Sequence, residues 1–160
     1  MALTMQVQGI EELSRMLQDL EGQAPEVAAK ALYEGAGIMA DAYSQAAGEI
    51  KAEKFRYAFG GRKRLPSFEE KAAVLGKSGI AKFQKNGSEI NTSVGVSGKL
   101  GYADINGHKV AVRKLIYAIN SGTSFMSKQP VFRRAATQAA PAASAAIVSK
   151  AEEEINKLTK

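Results

Sequence analysis

Residues 117–136 constrain the fold more than any other part of the chain; they read Tyr-Ala-Ile-Asn-Ser-Gly-Thr-Ser-Phe-Met-Ser-Lys-Gln-Pro-Val-Phe-Arg-Arg-Ala-Ala. They are punctuated as one helix ending and another starting. Gly122 stands where a helix C-terminus needs a residue that tolerates positive φ. Pro130 stands where a first helical turn has no use for its N–H. The seven residues between them are mostly polar, so the expectation is a helix–corner–helix unit.

Helical periodicity supports a rod on each side of this corner. Residues 110–121 place Val112, Leu115, Ile116 and Ile119 on one face. From Pro130 onward, Phe132, Ala135, Ala139, Ala143, Ala146, Ile147, Ile155 and Leu158 fall near one stripe. Pro141 is expected to bend or split that helix, because it removes a hydrogen bond and crowds the preceding turn. At the other end of the chain, Leu3, Met5 and Val7 alternate with polar residues, as in a short strand ended by Gly9. Ile10, Leu13, Met16, Leu17 and Leu20 then recur at helical spacing until Gly22, and Glu11 and Glu12 complement the helix dipole at its start. Pro25 is expected to open a second helix with a stripe of small residues at Ala28, Ala31, Gly35, Ala42 and Ala46, interspersed with Leu32 and Ile38 or Met39. Gly35 and Gly37 each cost about 1 kcal/mol relative to Ala in a helix interior. Two such glycines point to close packing or to a flexible point.

The middle of the chain is less regular. Residues 48–66 lose periodicity and read as a mobile basic loop. Ser67 and Glu70 have the spacing of a capping box, which starts a short helix over 68–75. Residues 80–84 and 89–96 flank Asn86-Gly87, a dipeptide suited to a tight hairpin. Residues 97–107, with Gly98 and Gly101, read as a second mobile loop. The fold class expected is α+β: one domain over 1–160, with a small antiparallel sheet (N-terminal strand plus central hairpin) packed by long N-terminal and C-terminal helices. A chain of this length buries roughly 70% of its unfolded surface and keeps a core without staples.

Composition removes most catalytic chemistry. There is no Cys, hence no thiolate nucleophile, disulfide or thiolate metal site. His108 is the single histidine and has no neighbouring nucleophile or second ligand in the sequence. Gly76-Lys77-Ser78 resembles the end of a phosphate loop, but the residue that would have to be its first glycine is Lys71. Glu152, Glu153 and Glu154 point in different directions around a helix and read as a solvated face. No enzymatic activity, cofactor or metal is expected. No run approaches the ~20 apolar residues that cross a bilayer, so no membrane association is expected.

Charge is segregated along the chain. The net charge is +6, from 22 Lys and Arg against 16 Asp and Glu. Residues 1–50 carry two basic and eight acidic side chains, whereas residues 51–85 carry ten basic and three acidic. Such separation steers acidic faces toward basic faces of other copies, or a basic patch toward phosphate. In the 48–66 loop Phe55, Tyr57, Phe59, Arg62, Lys63 and Arg64 combine aromatics with cations, the composition of interface anchors. The same composition suits backbone neutralisation and base stacking. Subunit contact is the first reading, and a small basic nucleic-acid-binding module is the alternative.

The order of parts around the corner, an apolar helical turn, Gly122-Thr123, a gap, Pro130, then Phe132 and alanines, resembles the signature of the head–tail joining or tail-completion family of long-tailed phages, the gene-product-ten type tail component. The family pattern has an acid two places before Gly-Thr, where this chain has Asn120. It also has an aromatic directly after the proline, where this chain has Val131 and delays the aromatic to Phe132. Upstream, Gly9-Ile10-Glu11-Glu12-Leu13 is similar to the family's opening, and Gly79-Ile80-Ala81-Lys82 with Val94-Gly95-Val96 to its central β segment. Residues 48–75 and 97–108 carry no matching motif. The resemblance implies a non-enzymatic virion protein of the neck or upper tail of a phage or prophage, assembled in the host cytoplasm. It implies a homo-oligomeric ring, six-fold in symmetry, between a head connector or head-closure protein and a tail terminator or tail-tube protein. DNA would pass through its lumen in transient, sequence-independent contact. Gly122, Thr123, Pro130 and Phe132 are then structural pivots.

Overall fold

The computed structural model describes residues 10–54, 61–75, 79–80, 84–86, 89–91, 94–95 and 101–158, with side chains described over 21–54, 61–75 and 101–158. The chain is α+β, mostly helical, with long N- and C-terminal helices. In order these are α1 (Ile10–Gly48), α2 (Phe68–Val74), β1 (Gly79–Ile80), β2 (Gln84–Asn86), β3 (Glu89–Asn91), β4 (Val94–Gly95), β5 (Tyr102–Ile105), β6 (His108–Ala111), α3 (Val112–Ser121) and α4 (Val131–Leu158). The expected N-terminal strand lies outside the described residues.

The two long helices α1 and α4 make the most extensive contact in the fold. The small stripe on α1 explains their proximity. Ala31, Gly35 and Ala46 are buried, and a Cβ placed on Gly35 would lie 2.5 Å from Ile147 Cγ1 and 2.9 Å from the Ala143 carbonyl oxygen. Gly35 therefore sits where α4 approaches α1 too closely for any side chain. Gly37, two residues on, has nothing among the described residues within 4 Å of such a Cβ.

One expectation is corrected here: α1 is a single helix through Gly22 and Pro25, not two. The proline removes one amide donor, but the surrounding residues 21–24 are exposed, so the freed carbonyl can be hydrated. Ala24, Val27 and Ala28 share a groove with Ala151 and Ile155 of α4, so tertiary contact continues around the proline. Likewise α4 is continuous through Pro141. Its stripe is buried at Phe132 and Ala143 and half-buried at Ala135, Ala139, Ala146, Ile147 and Leu158, but Ile155 is exposed and Glu154 takes the inward place.

The apolar core gathers at the other end of this helical pair. Ile50, Val74, Ile105, Leu115, Ile119, Met126 and Phe132 meet there with Ala46 and Ala47. Tyr43 meets Phe132 edge-on, with ring centroids 6.0 Å apart. The anticipated hairpin is present, β2 pairing antiparallel with β3 so that Asn86 faces Glu89; β1 pairs with β4. A further hairpin replaces most of the second expected loop. Residues 102–105 pair with 108–111 around Asn106-Gly107, where Asn106 has φ 54° and Gly107 φ 80°. Those are the two positive φ values that a tight Asn-Gly turn requires, and α3 consequently begins at Val112 rather than at Val110.

Candidate assembly interface

The corner between α3 and α4 is built by its own sequence. Gly122 adopts φ 77° and ψ 167°, and its amide donates to the Ala118 carbonyl (2.8 Å), closing α3. Thr123 then turns the chain: its hydroxyl accepts from the amides of Met126 (2.9 Å) and Phe125 (3.3 Å), and its own amide donates to the Met126 carbonyl (3.0 Å). This turn drives Met126 into the core. The Gln129 amide donates to the Ile119 carbonyl (2.8 Å), tying the corner back to α3. Pro130 precedes the first residue of α4, and Phe132 is buried one turn in. Asn120 Oδ1 accepts from the Arg133 amide (3.3 Å), so the position that carries an acid in the family pattern caps the start of α4, a task needing an acceptor rather than a charge.

The corner is clamped from outside by the two described flanks of the basic segment. The Arg64 amide donates to the Phe125 carbonyl (2.9 Å), and the Ser127 amide to the Arg64 carbonyl (2.8 Å). Glu53 holds Leu65 through its carboxylate (3.0 Å), while the Glu53 amide donates to the Pro66 carbonyl (2.9 Å). The Gln129 side chain both accepts from the Lys51 amide and donates to the Lys51 carbonyl. Within the segment expected to be a mobile loop over 48–66, Lys51, Glu53, Arg64, Leu65 and Pro66 are thus hydrogen-bonded into the fold.

Arg64, expected among the assembly contacts, has a side chain that is only 10% exposed and turned inward. Its guanidinium forms a two-pronged pair with Glu70 (2.6 and 2.7 Å), donates to the Leu65 carbonyl (3.0 Å) and faces the Phe125 ring at 6.0 Å. Glu70 also accepts from the Ser67 amide (2.8 Å), while the Ser67 hydroxyl accepts from the Glu70 amide (3.1 Å), so the anticipated capping box is complete. Burial opposes the Glu70 charge most strongly, yet Arg64 and the Ser67 amide together outweigh it and hold the carboxyl below its usual range. Arg64 is held correspondingly above its own, chiefly by the hydrogen bonds to Glu70.

Of the other expected contact residues, Arg62 and Lys63 are exposed beside this clamp. Phe55, Tyr57 and Phe59 lie outside the described residues. Glu152 and Glu153 are exposed, whereas Glu154 departs from the solvated-face reading. Glu154 is buried against Lys157 (2.8 Å), Lys30 of α1 (3.0 Å) and Lys150 (3.4 Å), and is pulled down to about 2, first by Lys157 and then by Lys30. Glu153 pairs with Lys150 and Lys157.

The exposed surface of the hairpin and α3 escaped the sequence reading. Arg113, Lys114 and Tyr117 form one outward stripe of α3, beside Tyr102 and Lys109 of the hairpin. The spacing 113, 114, 117 opposite the apolar 112, 115, 119 carries the signal on α3, whereas the loop expected over 97–107 hides the hairpin that completes the face. Among the described residues no three His, Cys, Asp or Glu side chains converge to hold a metal ion, and no helix is long and apolar enough to cross a membrane. Comparison with protein-family models, with curated proteins and with solved structures returned no match, so any function assigned to this chain has to come from its own residues.

Proposed function

We propose that this protein is a non-enzymatic building block of a phage neck or upper tail, forming a ring that completes the tail and joins it to the head connector. The observation that carries the reading is the corner. The residues that resemble the family signature, Gly122, Thr123 and Pro130, occupy places where positive φ, a side-chain acceptor and a helix start are each required. A motif spent on shaping the chain suits a structural subunit. Large exposed side chains on the same end, Tyr102, Tyr117 and Phe125, supply contact area. Acidic and basic segments separated along the chain favour head-to-tail contacts, which close into rings.

Native mass measurement and electron microscopy of the purified chain, alone and with connector and tail-tube proteins, test this. Rings that join particles are expected; a protein that stays monomeric and never enters particles overturns the reading. The nucleic-acid alternative is supported by a run of cations, Lys51, Arg62, Lys63, Lys128 and Arg134, near the corner. It predicts saturable DNA or RNA binding at about 50 mM salt that Arg62→Glu with Lys63→Glu abolishes. Arg64 has no place in that test, because its replacement would unseat Glu70.

A further inference from the structure

Two exposed faces of the chain are complementary in charge. The first is formed by the hairpin and α3. Tyr102 is 73% exposed and Tyr117 71% exposed, and between them Lys109, Arg113 and Lys114 stand in solvent. The backbone places these close together: Tyr102 pairs with Ala111, immediately before α3, and the Val112 amide donates to the Gly101 carbonyl. Asp104, the cross-strand register partner of Lys109, accepts from the Gly107 amide within its own turn. Arg113 and Lys114 lie in the first turn of a helix with no acid there and no side-chain cap, where positive charge opposes the helix dipole. The local sequence is thus unfavourable for the isolated helix, as is common where a surface serves a partner.

The second face is the outward side of α1. From residue 21 to its end, α1 carries Glu21, Glu26, Glu34 and Asp41 against a single base, Lys30, which is engaged by Glu26 (2.9 Å) and Glu154 (3.0 Å). Glu34 and Asp41 are exposed, two helical turns apart, about 10 Å along the axis. Gly37 lies one turn from Asp41 on this side. Gly35 is accounted for by α4, whereas among the described residues nothing lies within 4 Å of a Cβ at the half-buried Gly37, although glycine weakens a helix interior. Among the described residues Gly37 meets no packing partner and Glu34 and Asp41 have no ion-pair partner, so this side of α1 leaves room for another body to come close.

We infer that the basic, tyrosine-bearing face of the hairpin and α3 docks on the Glu34–Gly37–Asp41 face of α1 in a second copy of this chain. The two faces differ, so the contact is head-to-tail and propagates around a ring rather than stopping at a dimer. Opposite charges orient the approaching copies, and the tyrosines supply buried area. The inference deepens the ring reading and rests on it.

Charge-swap complementation tests it. One variant carries Glu34→Lys and Asp41→Lys; the other carries Arg113→Glu and Lys114→Glu. Each alone should self-associate at least tenfold more weakly than the wild type in sedimentation equilibrium at low salt. Their equimolar mixture should restore assembly, because each altered face then meets its altered complement in alternating subunits. Gly37→Ala adds an internal control: helix propensity should raise its melting temperature by a few degrees, while self-association falls. A merely structural glycine would not separate those two readouts. If the wild type assembles and the swapped variants assemble equally well, this interface is overturned and the ring reading survives. If the wild type is monomeric at every concentration and absent from particles, both fall. If the Arg113/Lys114 variant keeps self-association but loses binding to a DNA oligonucleotide, the face serves nucleic acid and the inference is wrong.

Discussion

Two carboxylates, one at each end of the molecule, are withdrawn from solvent by opposite strategies. Glu70 is gripped by one arginine in a planar two-pronged pair and by a backbone amide, against the apolar core. Glu154 is surrounded by lysines from α1 and α4, of which Lys30 and Lys157 remain about half in water, 49% and 58% exposed. Arginine's rigid fork fixes geometry where chain segments of irregular structure must be held together. Lysines are flexible point charges that tolerate small displacements, and they suffice where two helices are already aligned by their own small residues. The corner end is thus specified in detail, whereas the far end is held by close backbone approach and adaptable charge.

Removing the grip on Glu70 should produce the largest effect. Arg64→Met leaves a buried carboxylate without its partner and should cost about 3–5 kcal/mol of unfolding free energy in denaturant titration; a cost below about 1 kcal/mol would show that the clamp is ornamental. Next comes the helical crossing. Gly35→Ala drives a methyl group into Ile147 and the Ala143 carbonyl and should cost about 1–3 kcal/mol. If Gly35→Ala is neutral, the long helices are not locked by that contact. Gly122→Ala should cost a similar about 1–3 kcal/mol, since φ 77° with ψ 167° is nearly confined to glycine and the added Cβ would sit 3.1 Å from Lys128 Cβ. Its thermal midpoint checks this.

Acid sharpens the comparison further. Both carboxyls titrate lower in the folded chain than in the unfolded one, where a glutamate ionises near about 4.3. Their stabilisation is therefore fully present above that value and is lost as pH falls through the folded values, down to about 2 for Glu154. Unfolding midpoints measured from neutral pH down to acid should decline across this window, and Glu70→Gln should flatten part of the decline. The smallest effect is expected from Lys30→Met. That lysine is half in water and Glu154 keeps its other lysines, so the midpoint should barely move, and about 0.5 M salt should mimic what change there is.

Much of this was legible in order along the chain. Gly122 and Pro130 announce the corner because positive φ and a missing amide are properties of single residues. Ser67 and Glu70 announce the capping box because its partners are three residues apart. Asn106-Gly107 carried the same local signal as Asn86-Gly87, but the glycines at 98 and 101 drew the whole stretch into a loop reading. Pro25 and Gly22 gave a correct local warning that distant contact with α4 overrode.

What the sequence determined by itself is the set of short-range commitments: where helices start and stop, which faces are apolar, and that charge is unevenly spread. Only the tertiary structure decided which of two neighbouring glycines meets α4, that Arg64 turns inward to Glu70, and that Glu154 rather than Ile155 is the buried one of the two. The reason is physical. Backbone preference acts over a few residues, whereas the partner that neutralises a charge or crowds a glycine can lie more than a hundred residues away, as Lys30 does from Glu154.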